Sequence, residues 1–181
     1  LGNYIKKKFD KFDILINNAG ISLPKSSLDY SEKLWEKTYN INVKAPFFLS
    51  QECAKIMKQK KSGIIINITS INAEFAFPDN PSYQASKGGL KQLTKSLALD
   101  LAKFGIRVNN VGPGYFQTAM TKKSWDNIEK RKKISNNTIL GRWGEPRDLQ
   151  GIIILLASDA SSYITGQDFY IDGGWSIKGL K

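Results

Sequence analysis

The sequence predicts an α/β fold built around a parallel sheet. Two patterns carry this reading: short apolar runs bounded by turn residues, and longer segments of helical period that alternate with them. Length is the third observation. A chain of 181 residues that is 41% apolar suits a single domain, residues 1–181, with one substantial core.

The first residues, Leu1-Gly2-Asn3-Tyr4-Ile5 and then Lys6-Lys7-Lys8, lack the order of a signal peptide and read as part of an amphipathic helix. A start inside a helix and without methionine leads us to expect a segment upstream. Strands are expected at Asp13–Asn17, Gly63–Thr69, Ile106–Val111 and Gln167–Ile171. The first three are Ile/Val-rich enough to be buried on both faces. Helices are expected from Ser31 to Lys58, Pro81 to Lys103 and Pro146 to Ser158. Asn80-Pro81 and Glu145-Pro146 each pair a capping residue with proline at the first helical position. Pro46 should distort or interrupt the first helix. Residues 115–138 are polar, basic and weakly periodic, and read as a mobile segment over a site.

Composition removes much of enzyme chemistry. There is no histidine and only Cys53, which excludes a Ser-His-Asp triad, a Cys-His dyad, the usual zinc sites and an internal disulfide; we expect no metal. No run approaches a membrane span, and a reducing cytoplasmic setting fits best. The net charge is +11, with basic runs at Lys58-Gln59-Lys60-Lys61 and Lys130-Arg131-Lys132-Lys133. They lack interleaved aromatic residues, so solvated helix faces explain them better than nucleic acid does. An anionic substrate is the next reading.

The strongest local signal is Ser82-Tyr83-Gln84-Ala85-Ser86-Lys87-Gly88. Tyrosine and lysine four apart share a helix face, so their heads can reach one site. A free phenol has a pKa of about 10, and a neighbouring ammonium favours the phenolate, which makes the pair a general acid/base. Alone such a pair is weak. Ser70, however, ends the run Ile64-Ile65-Ile66-Asn67-Ile68-Thr69 and places a hydroxyl at the carboxyl end of a parallel strand, where open α/β sheets bind ligands.

With Asn17-Asn18-Ala19-Gly20 after the first strand, Ile41-Asn42-Val43 in the long helix, and Pro113-Gly114 with Thr118 after the third strand, the chain resembles the short-chain dehydrogenase/reductases. The resemblance runs nearly end to end. It continues through Gly141-Arg142-Trp143-Gly144-Glu145-Pro146, Leu156-Ala157-Ser158-Asp159, Thr165-Gly166-Gln167 and Asp172-Gly173-Gly174. It implies a Rossmann-like doubly wound parallel sheet that uses NAD or NADP. The family's opening Thr-Gly-x-x-x-Gly-x-Gly turn, whose amides meet the pyrophosphate, is absent, as is the residue that selects NAD or NADP. We therefore expect these residues to be a fragment of a complete enzyme, with a sheet lacking the family's first βαβαβ part, a hydrophobic edge at the strand ending in Asn17, and weak cofactor binding and near inactivity in this chain alone.

By the resemblance, Tyr83 exchanges the proton with the substrate oxygen, Ser70 positions that oxygen, and Lys87 tunes Tyr83 and holds the nicotinamide ribose. Asn42 would hold a relay water; bonding helix backbone is its other reading, and Asn40 competes for the role. Asn18, Ala19 and Gly20 would let the ribose lie over the strand end, while Asn17 ties adjacent strands together. Pro113, Gly114 and Phe116 would turn the chain around the nicotinamide, and the Thr118 hydroxyl would either reach the carboxamide or cap a helix. The tail resembles sugar-acid and polyol dehydrogenases of the gluconate type. A 3-oxoacyl-carrier-protein reductase is the alternative, and a non-catalytic scaffold or nucleic-acid binder is the alternative of another class. The partners expected are a small carbonyl or alcohol substrate and copies of the chain itself, a tetramer by resemblance.

Overall fold

The structure, a computed structural model, describes residues 11–178. The expected amino-terminal helix lies outside the described residues. Four strands form, β1 (Ile14–Asn17), β2 (Gly63–Ile68), β3 (Ile106–Pro113) and β4 (Asp168–Ile171), and they lie side by side in that order, all parallel. Helical crossovers join them, as parallel pairing requires. Between β1 and β2 run α1 (Glu32–Tyr39) and α2 (Ala45–Lys60), between β2 and β3 runs α3 (Pro81–Leu101), and before β4 come α4 (Lys122–Asp126), α5 (Ile128–Asn136) and α6 (Gln150–Leu156).

The sheet is wound on both faces. On one, Cys53, Ile56 and Met57 of α2 and Leu97 and Ala98 of α3 pack against Ile65, Ile106 and Val108; on the other, Leu156 of α6 packs with Ile66 and Val111. Among the described residues the second layer is narrower than the first and does not pack on Ile14 or Ile16 of β1. Ile14 and Ile16 are 39% and 42% exposed, so the expectation that β1 is buried on both faces fails. β2 and β3 are buried as expected.

The predicted helix from Ser31 to Lys58 is two helices joined by a π-helical turn at Asn40–Lys44. Ser31 caps its start by accepting a hydrogen bond from the Leu34 amide. Pro46 follows the π turn at the second position of α2. Having no amide, it removes the donor that an α-helix would offer to the Asn42 carbonyl. Asn80 precedes α3 but makes no capping bond; its Nδ2 donates instead to Ser22 Oγ at 2.8 Å. The segment expected to be irregular, residues 115–138, contains α4 and α5, held to the loop beyond by Trp143, whose Nε1 donates to the Arg131 carbonyl at 3.1 Å. Gly105 ends the turn after α3 in the left-handed region at φ 69°, and a Cβ there would fall 2.1 Å from the Lys61 carbonyl oxygen. Only glycine fits that reversal into β3.

A polar row crosses the whole sheet in register. Asn17, Asn67, Asn110 and Asp168 are successive partners on the four strands. Asn17 Nδ2 donates to Asn67 Oδ1 at 2.7 Å and to Ser50 Oγ at 3.1 Å. Asn67 Nδ2 donates to Thr94 Oγ1, Thr94 Oγ1 donates to Asn110 Oδ1, and Asn110 Nδ2 donates to Asp168 Oδ1, each at 2.7 Å. Buried amides survive in a core only when so satisfied. Asn17 thus ties adjacent strands together, as its position suggested.

Candidate active site

The carboxyl ends of β1, β2 and β3 converge beside the first turns of α3. Ser70 is buried just beyond β2, with an extended backbone and an Oγ that accepts from the Asn72 amide at 3.2 Å. A hydrogen-bonding contact links Ser70 to the Tyr83 phenol. Lys87, one helical turn on, is 4% exposed. Its Nζ donates to the Ile68 carbonyl at the end of β2 at 2.7 Å and lies 5.6 Å from the centre of the Tyr83 ring.

Asn42 completes this group from the π turn. Its amide makes a two-way bond with one backbone residue: Oδ1 accepts from the Ile21 amide and Nδ2 donates to the Ile21 carbonyl, both at 2.9 Å. Nδ2 also donates to Ser86 Oγ at 3.0 Å, and Ser86 donates to the Tyr83 carbonyl at 2.7 Å. Asn42 therefore fastens the loop after β1 to the helix that bears Tyr83. The backbone it bonds is that of the loop at Ile21 and not helix backbone, and Asn40 makes no comparable side-chain bond among the described residues. Gly20 sits over these heads; a Cβ placed on it would lie 3.5 Å from Asn42 Oδ1 and 3.5 Å from Lys87 Nζ.

Electrostatics depart from the simple expectation. Burial pushes the Tyr83 phenol above its ordinary 10, with the Ser70 contact opposing that shift, and burial brings Lys87 from 10.5 down to about 8. The expected lowering of Tyr83 by an ammonium does not appear. Desolvation disfavours both charged forms, and the ammonium points at the Ile68 carbonyl rather than at the phenol oxygen.

The cofactor candidates divide. Asn18 and Ala19 are exposed at the end of β1, beside Gly20, and offer an open surface over the strand end. Pro113 ends β3, and the Gly114 amide bonds to the Ile171 carbonyl at 2.9 Å, where a side chain on residue 114 would strike Asp172. Phe116 is buried and pairs with Gly144 through the backbone, its ring filling the space a Cβ of Gly144 would take. Thr118 is exposed; its amide donates to Thr121 Oγ1 at 3.0 Å, and Thr121, not Thr118, precedes α4. Among the described residues no hydrogen bond joins Phe116 or Thr118 to Ser70, Tyr83, Lys87 or Asn42.

Sequence reasoning passed over an aromatic enclosure above these strand ends. Phe75 and Phe77 come from the loop between Ser70 and Tyr83, Tyr115 from the end of β3, and Trp175 from beyond β4. Ring centres lie 5.3 Å apart for Phe77 and Trp175, 5.5 Å for Phe75 and Trp175, and 6.3 Å for Phe77 and Tyr115. Gln84, next to Tyr83, holds the Phe77 backbone through both its amide atoms, at 3.0 Å and 2.6 Å. Ser86 was also missed, though it lies within the Tyr83–Lys87 motif. Among the described residues no cluster of His, Cys, Asp or Glu could hold a metal and no helix is long and apolar enough to cross a membrane.

Residues 1–176 match the family model described as enoyl-(acyl carrier protein) reductase. The chain belongs to the short-chain dehydrogenase/reductase family. Its relatives in that family include the 2-dehydro-3-deoxy-D-gluconate 5-dehydrogenase of Dickeya dadantii, 42% identical over 93% of this chain and 67% of that enzyme. A second is the 3-oxoacyl-[acyl-carrier-protein] reductase of Thermotoga maritima, 38% identical over 96% of this chain and 70% of that one. Among solved structures, a gluconate 5-dehydrogenase from Burkholderia cenocepacia in complex with NADP and tartrate superposes with a TM-score of 0.95 at 33% identity, over 98% of this chain and 70% of that one. This short-chain dehydrogenase/reductase is an oxidoreductase that uses NAD or NADP to interconvert a secondary alcohol and a ketone. The open strand end at Asn18 and Ala19, and the bare Gly20 beside Lys87 Nζ, fit a ribose laid over them.

Proposed function

We propose that the chain interconverts a keto sugar acid and its hydroxy acid, of the gluconate type, with Ser70, Tyr83, Lys87 and Asn42 as its catalytic set. The observation that carries this is the grouping of buried Ser70, Lys87 and Asn42 around Tyr83, with Lys87 Nζ 5.6 Å from the Tyr83 ring centre and with Gly20 placed so that an added Cβ would lie 3.5 Å from both Lys87 Nζ and Asn42 Oδ1. The likeness to the Dickeya dadantii dehydrogenase supports the substrate class.

A bound nicotinamide supplies or receives the hydride at the substrate carbon. The residues of this chain manage the oxygen and its proton. In reduction, the Tyr83 hydroxyl gives its proton to the carbonyl oxygen while Ser70 donates a hydrogen bond that holds this oxygen in place. Lys87 holds the nicotinamide ribose hydroxyls and passes a proton back toward Tyr83. Asn42, whose carbonyl is freed by Pro46, holds the water that connects Lys87 to solvent. Asn18, Ala19 and Gly20 receive the ribose, and Pro113, Gly114, Phe116 and Thr118 border the nicotinamide. This last assignment rests on the chain order of the motif, since Phe116 and Thr118 bond elsewhere in the present arrangement.

The test is NADH and NADPH oxidation by the full-length protein with keto sugar acids, ketoses and 3-oxoacyl thioesters, each repeated with Tyr83→Phe. Turnover of the keto sugar acids that falls about 10²- to 10⁴-fold in Tyr83→Phe is the expected result. Exclusive turnover of the thioesters would move the substrate to the carrier-protein reading, which the Thermotoga maritima likeness supports. Full activity in Tyr83→Phe would overturn the catalytic set. A cytoplasmic, homo-oligomeric enzyme completes the proposal; Phe48 on α2 and Leu99 on α3, 49% and 84% exposed, suit contact between copies.

A further inference from the structure

Tyr115 has a ring that is held and a hydroxyl that is not. The ring centre lies 5.5 Å from Trp143, 6.2 Å from Trp175 and 6.3 Å from Phe77, and the backbone carbonyl accepts from the Gly144 amide at 2.9 Å. Three aromatic neighbours and this bond fix where the phenol points. Yet among the described residues the hydroxyl has no hydrogen-bond partner, whereas Tyr30 bonds the Leu23 carbonyl and Ser82, and Tyr170 bonds Glu74. Tyr115 is partly exposed, so its hydroxyl is not sealed in the core. A phenol so oriented is placed to meet something from outside the chain.

Its position says what that is. Tyr115 directly follows Pro113-Gly114 at the carboxyl end of β3, and Phe77, against which it packs, is fastened by Gln84 beside Tyr83. The aromatic group is thus anchored to the first turn of α3, the turn that bears Tyr83. Aromatic faces offer apolar cover to the carbon chain of a ligand, and a phenol both donates and accepts, so it can meet a ligand hydroxyl in either sense.

We infer that Tyr115 is a specificity residue that hydrogen-bonds a secondary hydroxyl of a polyhydroxy acid, while Phe77 and Trp175 cover the carbon chain. This rests on the proposed substrate class. A hydroxyl that meets the phenol keeps it satisfied; an analogue lacking that hydroxyl leaves it unpaired and is penalised. The desolvation that raises the Tyr115 pKa adds to that penalty.

Tyr115→Phe keeps the ring and removes only the oxygen. Steady-state reduction is measured for both proteins with a keto-gluconate and with a keto acid of equal chain length that lacks hydroxyls, alongside NADPH and NADH binding by fluorescence. The expected result is a loss of about tenfold in kcat/KM for the keto-gluconate, mostly in KM, with no loss for the unhydroxylated acid and unchanged cofactor affinity. Equal losses on both acids, no loss on either, or weakened cofactor binding would overturn the inference. Failure of the unsubstituted protein to reduce the keto-gluconate would remove the substrate class and this inference with it, whereas normal turnover that Tyr115→Phe leaves untouched would remove the inference alone.

Discussion

Replacing Lys87 by methionine should stabilise the cofactor-free protein while abolishing turnover. Burial lowers the Lys87 pKa from 10.5 to about 8. At ~1.36 kcal/mol for each tenfold change in proton affinity, the folded protein disfavours the charged head by about 3 kcal/mol. Methionine preserves the length of the stem without the charge. It cannot donate to the Ile68 carbonyl, which Lys87 Nζ meets at 2.7 Å, and that loss costs about 1 kcal/mol. The net gain is about 2 kcal/mol near neutral pH. Its pH dependence has a definite sign. The unfolded lysine keeps its proton up to 10.5 while the folded one releases it above about 8, so between these values the unfolded state binds more protons and the unsubstituted protein gains stability as pH rises. The advantage of Lys87→Met is therefore full below about pH 8 and shrinks above it. Urea unfolding of both proteins, followed by tryptophan fluorescence on either side of that pH, measures the difference, and equal slopes against denaturant would license the comparison. A variant less stable than the parent at neutral pH, or an advantage that does not change with pH, would refute the reasoning.

Two further outcomes follow from the packing. Gly20→Ala brings a methyl to ordinary contact distance from Asn42 Oδ1 and Lys87 Nζ, so the fold should tolerate it while cofactor affinity and kcat each fall by about tenfold, read by NAD(P)H titration and initial rates. Asn67→Ala removes a partner of Asn17 Nδ2 in the sheet and of Thr94 Oγ1 on α3; at about 1–3 kcal/mol for each buried group left poorly satisfied, chemical denaturation should show a loss of about 2–6 kcal/mol.

What the sequence determined by itself is local. Strand positions fall within about two residues of the structure because Ile/Val runs and turn residues act over a few neighbours. The order Ser70, Tyr83, Lys87 was legible because a helical spacing of four puts two heads on one face wherever the helix lies. The joint order of the motifs around it identified the family. Tertiary structure decided what depends on residues distant in the chain. The exposure of Ile14 and Ile16, which none of the described helices packs upon, is something the composition of β1 does not contain. Register sets Asn17, Asn67, Asn110 and Asp168 side by side, and Thr94 of α3 joins Asn67 to Asn110 to complete the hydrogen-bonded row. The direction of the Tyr83 shift came from burial by surrounding elements, which outweighs the opposing contact with Ser70. The enclosure around Tyr115 joins side chains from beyond three different strands. Only the paired sheet sets those strand ends side by side, because its hydrogen bonds, not the chain, fix the distances between them.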